Sequence, residues 1–301
     1  MVRPTVAAAD REIGVRHPVL GHGFVALVDY MGDDSAIVQA ARVSYGRGTK
    51  SVRDDRGLIR YLLRHRHTTP FEMVEVKFLV RLPIFVARQW IRHRSSSTNE
   101  YSARYSIVPD EFENPPPEEV RHQSTRNRQG RGGPLDAGVV DRFRSDLDRV
   151  ANEAYAVYSR ALEAGVARET ARLVLPVAYY TQWYWKTNLW NLFHFLSLRL
   201  DAHAQEEIRL YAAEVARLGA LVCPVAFEAF DEFILEGVTL GRREQLAVRA
   251  LLGGATPEKA CEGAGLPLAR EDGRPMTSGE GIEFLQKLAR LRGEKSPEDD
   301  D

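Results

Sequence analysis

Between Gln89 and Ser106 the chain gathers Arg92, His93, Arg94, Glu100 and Arg104 among several hydroxyl side chains. Guanidinium groups present forked donors that match phosphate and carboxylate oxygens, so this composition suits the holding of anions. A helix is expected over residues 84–94, opened by Pro83 at a position where proline costs nothing. On it Arg88, Gln89 and Arg92 fall three or four residues apart and share a face, which leaves Phe85, Val86, Trp90 and Ile91 to pack inward. Arg92 and Arg94 leave the helix end on different sides. With Arg104 they can clamp two separate anionic groups, such as a mononucleotide phosphate and a dinucleotide pyrophosphate. Residues 95–97, three serines, add hydroxyls and backbone donors in the turn. An Arg-His-Arg triplet alone is more often a salt-bridged helix end; the whole string points to a site.

Two further constellations stand apart from this one. His67-Thr68-Thr69-Pro70-Phe71-Glu72 lies between an expected helix and the strand leading to the signature, where a lone histidine is more often structural. Later come Ala171-Arg172 to Pro176, residues 188–194 with Asn188, Trp190 and His194, and the run from Leu198-Arg199 to His203 and Gln205. Arg199 and His203 are four apart and share a helix face. His203 with Glu206 and Glu207 suggests a metal site only weakly, because no second histidine stands four residues away; a capping or solvated role fits better, and no metal is expected. Cys223 lies in a helical run without an activating base, so it reads as a packed side chain and not a nucleophile. Ser102 lacks a general-base partner and is assigned to positioning.

Arg92-His93-Arg94, then seven residues, then Ser102 resembles the signature of the flavin-dependent thymidylate synthases. His67-x-Thr69-Pro70-Phe71-Glu72 is similar to a second box of that family, and Ala41-Arg42-Val43-Ser44-Tyr45 to its first. The resemblance covers roughly residues 23–235. It implies reductive methylation of dUMP to dTMP, with 5,10-methylenetetrahydrofolate as carbon donor and NADPH-reduced FAD as hydride source, giving tetrahydrofolate. It implies also a homotetramer with sites at subunit interfaces. By the same match Gln89, Arg92, Glu100, Ser102, Ala103, Arg104, Arg172 and Arg199 form the dUMP site, Arg172 on the phosphate and residues 100–104 from a neighbouring subunit. FAD would meet Ser44, His67, Thr69, Arg92, His93, Arg94, Glu100, Asn188, Trp190 and His194. Family members often carry arginine where Trp190 stands and asparagine where His194 stands. A tryptophan does not replace an arginine's phosphate contact, though it can stack on adenine.

Methylating C5 of a uracil needs a covalent nucleophile or a device that stabilises negative charge on the ring. The chain shows the second. Arg199 is the expected catalytic residue, because guanidinium stays charged as oxyanion character develops. There is no Gly-x-Gly-x-x-Gly fingerprint, so FAD rests on the resemblance alone. The competing reading is a noncatalytic nucleotide- or RNA-binding protein that uses the signature arginines and those of residues 126–131; a third is a flavoprotein oxidase without methyl transfer.

These side chains need a scaffold. Residues 23–30 read as a buried strand, followed by a helix capped by Asp33-Asp34-Ser35 and running to about Val43. A helix is expected over 54–66, a half-solvated strand over 74–80, a mobile, arginine-containing loop insertion over 108–138 and a long helix over 141–165. A short helix at 167–175 precedes a strand at 177–187, rich in Tyr, Trp and Thr. Helices follow near 188–200, 204–223 and 225–235. The fold class implied is α+β, mixed helices around a central, largely antiparallel sheet. The expected organisation is a catalytic domain over 1–236 and a helical extension over 237–301, with helices at 242–252, after Thr256 and at 277–292, and an acidic tail that reads as disordered.

With 301 residues, 44% hydrophobic and 28% charged, the chain can bury a substantial core. A formal net charge of −1 means that anion affinity must come from local arginine clusters, and no nucleic acid partner is expected. Two cysteines, no signal-peptide pattern and no long apolar run point to the cytoplasm.

Overall fold

The run Phe24–Leu27 is buried side chain by side chain because the strand that carries it, β2 (Gly23–Met31), is covered on both faces at that end. It pairs with β1 (His17–Val19) and β3 (Glu75–Pro83), both antiparallel, with a register shift between Leu27 and Asp29. Beyond β3 come β7 (Tyr180–Asn188) and then β4 (Ser97–Glu100), so the sheet order is β1-β2-β3-β7-β4 and every pairing is antiparallel. A separate hairpin is formed by β5 (Arg121–Gln123) and β6 (Arg131–Pro134). The computed structural model describes residues 4–43, 55–124, 130–270 and 272–294.

Alternation does the work in β3, where Val76, Phe78, Val80 and Leu82 are buried between half-exposed neighbours. Across the ladder Phe78 faces Trp185 and Val80 faces Trp183, so one sheet face carries large aromatics. Helices cover it. In chain order the helices of this part of the chain are α1 (Ala7–Asp10), α2 (Asp34–Val43), α3 (Asp55–Arg64), α4 (Thr69–Glu72), α5 (Ile84–Trp90), α6 (Ala137–Glu163), α7 (Arg168–Ala171), α8 (Leu189–Arg199), α9 (Glu206–Val222) and α10 (Pro224–Phe230); α6 and α7 bury Ala151, Tyr158 and Ala171 in a separate cluster with Val108 and Tyr179, and the others share the core of the sheet. Trp90 of α5 lies 5.1 Å from Trp185 and 4.6 Å from Phe195 of α8, ring centre to ring centre, and 6.3 Å from Tyr211 of α9. Burying such rings against one another supplies most of what holds the site's helices to the sheet. Gly23 permits the closest approach: a Cβ there would overlap the Tyr211 hydroxyl, which donates to the Arg81 carbonyl at 2.8 Å.

The expected strands and helices are present, with three corrections. The helix expected over 84–94 stops at Trp90, and Arg92 lies in the following turn. There the chain is drawn out because residues 97–100 pair with β7, and the Thr187 hydroxyl donates to the Ser95 carbonyl at 3.2 Å. The polar stretch leading out is therefore partly an edge strand. The segment 108–138 is not a featureless loop: it holds a 3-10 turn (Pro117–Glu119) and the β5–β6 hairpin. Residues 125–129, with Arg126 and Arg128, lie outside the described residues.

By its contacts the chain divides into two compact units, Met1–Gln123 with Gln129–Leu235, and Ser124–Arg128 with Glu236–Asp301. In the second, α11 (Arg242–Leu252), α12 (Pro257–Ala264) and α13 (Glu280–Arg292) close around Ala247, Ala260, Cys261, Leu266 and Phe284. Thr256 caps α12, and the Lys287 ammonium pairs with Glu244 at 2.7 Å. No helix among the described residues is long and apolar enough to cross a membrane.

Candidate active site

Helix α8 starts where Asn188 accepts hydrogen bonds from the Asn191 backbone N–H and side-chain amide, both at 2.9 Å, and it ends at Arg199. Its buried residues Leu192, Phe193, Phe195 and Leu196 lock it into the core, which leaves Arg199 at the rim beside the turn that follows α5. There Arg199 Nε donates to His93 Nε2 at 3.0 Å and Nη2 donates to the Gln89 carbonyl at 3.3 Å. Both acceptors are neutral. No carboxylate balances Arg199 among the described residues, and partial burial, with Arg92 nearby, lowers its pKa.

His93 complements this arrangement. Burial, Arg199 and His194 together push its imidazole down to about 4, so the ring is neutral at ordinary pH. Because Nε2 accepts from Arg199, the proton sits on Nδ1. The His194 ring lies 5.8 Å away and the Phe195 ring 5.0 Å. Arg92 and Arg94, in the turn, make no ion pair among the described residues. Half-buried Arg199 and unpaired Arg92 form a like-charged pair, an arrangement that an anion relieves.

A second group lies farther along. Glu100 on β4 accepts from the Thr181 hydroxyl at 2.6 Å. The Ser102 hydroxyl accepts from the Arg104 backbone N–H at 3.3 Å, and Ala103 packs against the cluster of Val108, Tyr158, Ala171 and Tyr179. Arg104 pairs with Glu169 of α7 at 2.7 Å, both side chains more than half exposed. Arg172 opens the next 3-10 turn, exposed and with no ion pair among the described residues. No hydrogen bond or ion pair among the described residues joins this group to Arg199.

The third group closes α3. His67 and Thr69 stand at the turn into α4, and the His67 ring lies 5.9 Å from Tyr61 and 6.5 Å from His65. Arg66 just before it holds φ at 58°, with its N–H to the Leu63 carbonyl and the His67 N–H to Leu62, the helix ending usually given to glycine. Ser44 lies outside the described residues.

A sequence profile of the thymidylate synthase complementing protein family matches residues 26–225. A protein of Ruegeria pomeroyi named flavin-dependent thymidylate synthase is 55% identical over 79% of this chain and 80% of its own length. One of the same name from Thermus thermophilus is 55% identical over 83% of this chain and 90% of its own. The chain belongs to the flavin-dependent thymidylate synthase family. The fold agrees: the crystal structure of the UMP/dUMP methylase PolB from Streptomyces cacaoi bound with 5-Br UMP superposes with a TM-score of 0.64 at 38% identity, over 72% of this chain and 96% of that one.

Several side chains suit the flavin nucleotide that gives this family its name. The guanidinium groups of Arg92 and Arg94, without an ion pair among the described residues, match a pyrophosphate. The carbonyl of Asn188 is spent on capping α8, which leaves its amide nitrogen to donate. Trp190 is half-buried against Phe71, with ring centres 6.4 Å apart. Cys223, the residue that a cysteine-dependent synthase would need, is fully buried, and burial pushes its thiol well up. His203 bonds to Asp201 at 2.8 Å, and no metal-binding cluster is found among the described residues.

Local sequence pattern gives no site role to Gln205 or Glu169. Gln205 takes a hydrogen bond from the Gln89 side chain, and Glu169 occupies Arg104. Gln205 stands in the stretch that carries the family resemblance, which is the signal that marks it; Glu169 carries none.

Proposed function

We infer that this chain is a flavin-dependent thymidylate synthase that methylates dUMP to dTMP, with 5,10-methylenetetrahydrofolate and NADPH as co-substrates. The observation that carries the reading is Arg199, a half-buried guanidinium with neutral partners only, set beside unpaired Arg92. In the reaction Arg199 contacts the uracil and stabilises the negative charge that spreads over the ring as N3 loses its proton. Neutral His93 keeps the guanidinium plane aligned without adding a competing charge. Bound FAD, once reduced by NADPH, supplies the hydride that completes the methyl group. Arg92, His93, Arg94, His67, Thr69, Asn188, Trp190 and His194 hold the flavin; Ser44 is assigned with them by resemblance.

Gln89, Glu100, Ser102, Ala103, Arg104 and Arg172 complete the nucleotide site, Arg172 on the phosphate. That no hydrogen bond or ion pair among the described residues joins the Ser102–Arg104 group to Arg199 is compatible with sites shared between subunits of a homotetramer. So are exposed Val139, Phe143, Val150 and Val157 of α6, spaced four, seven and seven apart, and Tyr105 and Leu173, 77% and 78% exposed. A cytoplasmic location fits nucleotide biosynthesis. The reading of a noncatalytic nucleotide- or RNA-binding protein finds no support among the relatives.

The test is the visible absorbance of purified protein with FAD, followed anaerobically by NADPH with and without dUMP. Bleaching that dUMP alters, then dTMP formation when methylenetetrahydrofolate is added, is expected. Failure to retain FAD, or no dTMP from a flavin-loaded protein, overturns the reading.

A further inference from the structure

The β5–β6 hairpin touches the site through a chain of side chains. Arg131, the first residue of β6, pairs with Glu119 at 2.5 Å and with Glu207 of α9. Glu207 is a buried carboxylate, 7% exposed. Its other oxygen accepts from the Gln205 side-chain amide at 2.8 Å. Gln205 stands at the N-cap of α9, but its side chain does no capping; its carbonyl accepts from the side-chain amide of Gln89. The Gln89 backbone carbonyl in turn accepts from Arg199.

We propose that Arg131 is a positioning residue for the nucleotide site, acting through Glu207 and Gln205 on the side chain of Gln89; the reading rests on the synthase assignment above. The direction of every bond follows from charge. An ionised carboxylate only accepts, so Glu207 compels Gln205 to turn its NH2 toward it and its carbonyl toward Gln89. Gln89 then gives one N–H to Gln205, which fixes its amide plane and leaves its carbonyl oxygen and second N–H for whatever the site holds. Arg131 is what holds Glu207 in place, since a buried carboxylate that loses its paired cation is left uncompensated and moves toward water or another partner. With Glu207 displaced, Gln205 loses the acceptor that orients it, and the order of donors and acceptors along the chain is lost. The sequence conceals the relay, because its links join residues 76 and 116 positions apart.

The test compares wild type, Arg131→Ala, Arg131→Lys and Glu207→Gln as full-length, FAD-loaded proteins. Arg131→Ala should raise the KM for dUMP roughly tenfold, the effect of one lost hydrogen bond to a charged group, with a smaller change in kcat and unchanged FAD retention. Arg131→Lys should recover much of the loss, and Glu207→Gln should fall between. Combined with Gln89→Ala, Arg131→Ala should add almost nothing, because both act through one side chain. Crystal structures of wild type and Arg131→Ala read the relay without any turnover: Gln89 should turn away from Gln205 in the variant. An unchanged KM, fully additive effects or an unmoved Gln89 overturns the proposal. If Arg131→Ala does not fold, Arg131→Lys and Glu207→Gln carry the same comparison. Absence of dTMP from wild type would count against the synthase reading, while the paired structures would still decide the relay.

Discussion

Two arginine sites in this chain are built in opposite ways. Arg199 ends a helix fixed by buried aromatic rings, is half-buried itself, and touches only neutral acceptors. Arg104 lies in an exposed turn and is held by Glu169, with both side chains in solvent. The first charge is preorganised by the fold of one chain; the second is parked on a contact that water screens and that is easily given up. Under the function proposed above, the contrast would separate a residue that acts on the transition state from one that joins when ligand or a neighbouring subunit arrives.

Arg199→Ala should break the first site outright. A loss of about a thousandfold or more in dTMP formation is expected, as for removal of a preorganised charge stabiliser, with melting temperature and FAD retention near wild type. Normal turnover would remove Arg199 from its catalytic role. Arg104→Ala should be milder, raising the KM for dUMP about tenfold and leaving kcat closer to wild type. Co-expressing the two impaired chains sharpens the contrast: if each site takes Arg199 from one subunit and Arg104 from another, mixed oligomers contain sites that turn over with the wild-type KM for dUMP, which neither variant shows alone. Activity no higher than that of the separate variants would place both residues in one subunit.

His93 gives a pH signature to the preorganised site only. Its folded pKa, about 4, lies below the unfolded value, so its contribution to stability is complete above pH ~6.5 and is lost as pH falls through about 4. Thermal melts from pH 7 to pH 4 should therefore show a steeper acid loss for wild type than for His93→Asn; parallel curves would contradict a neutral, desolvated imidazole. Glu169→Ala should do least, shifting stability by less than ~1 kcal/mol and leaving dUMP affinity equal or slightly tighter, because it frees Arg104. A marked loss of affinity would mean that Glu169 holds Arg104 in its working position.

Much of the scaffold was legible because hydrophobic period and turn chemistry are local. The buried run of β2, the alternation of β3 and the bounds of α11 all follow from neighbouring residues. The end of α5 was not, since residues 91–94 have no breaker and are drawn out by pairing of the next segment with a strand some 85 positions away. For the same reason β4 passed for a loop: Ser97, Thr98, Asn99 and Glu100 offer no apolar period. Of the site, the ordered boxes singled out Gln89, His93 and Arg199, but the contacts that join them, Arg199 to the His93 ring and to the Gln89 carbonyl, come from the structure. The partners that decide their behaviour, Gln205 for Gln89 and Glu169 for Arg104, are tertiary and left no local pattern. Arg66 is the reverse case, a glycine-type helix ending that its residue type hides.

Strand β4 also bears on how the open sheet ends. It forms one margin of the five-stranded sheet, and its four residues are all exposed, short and polar or charged; the opposite margin, β1, has three residues and contains Pro18. Brief, hydrophilic or proline-bearing margins resist the strand-to-strand stacking that seeds aggregates. Glu100, assigned to the nucleotide site, thus also stands on a margin that resists edge-to-edge aggregation. Replacing Glu100 with valine or isoleucine would strip both duties at once, so light scattering belongs beside every activity assay made on such a variant.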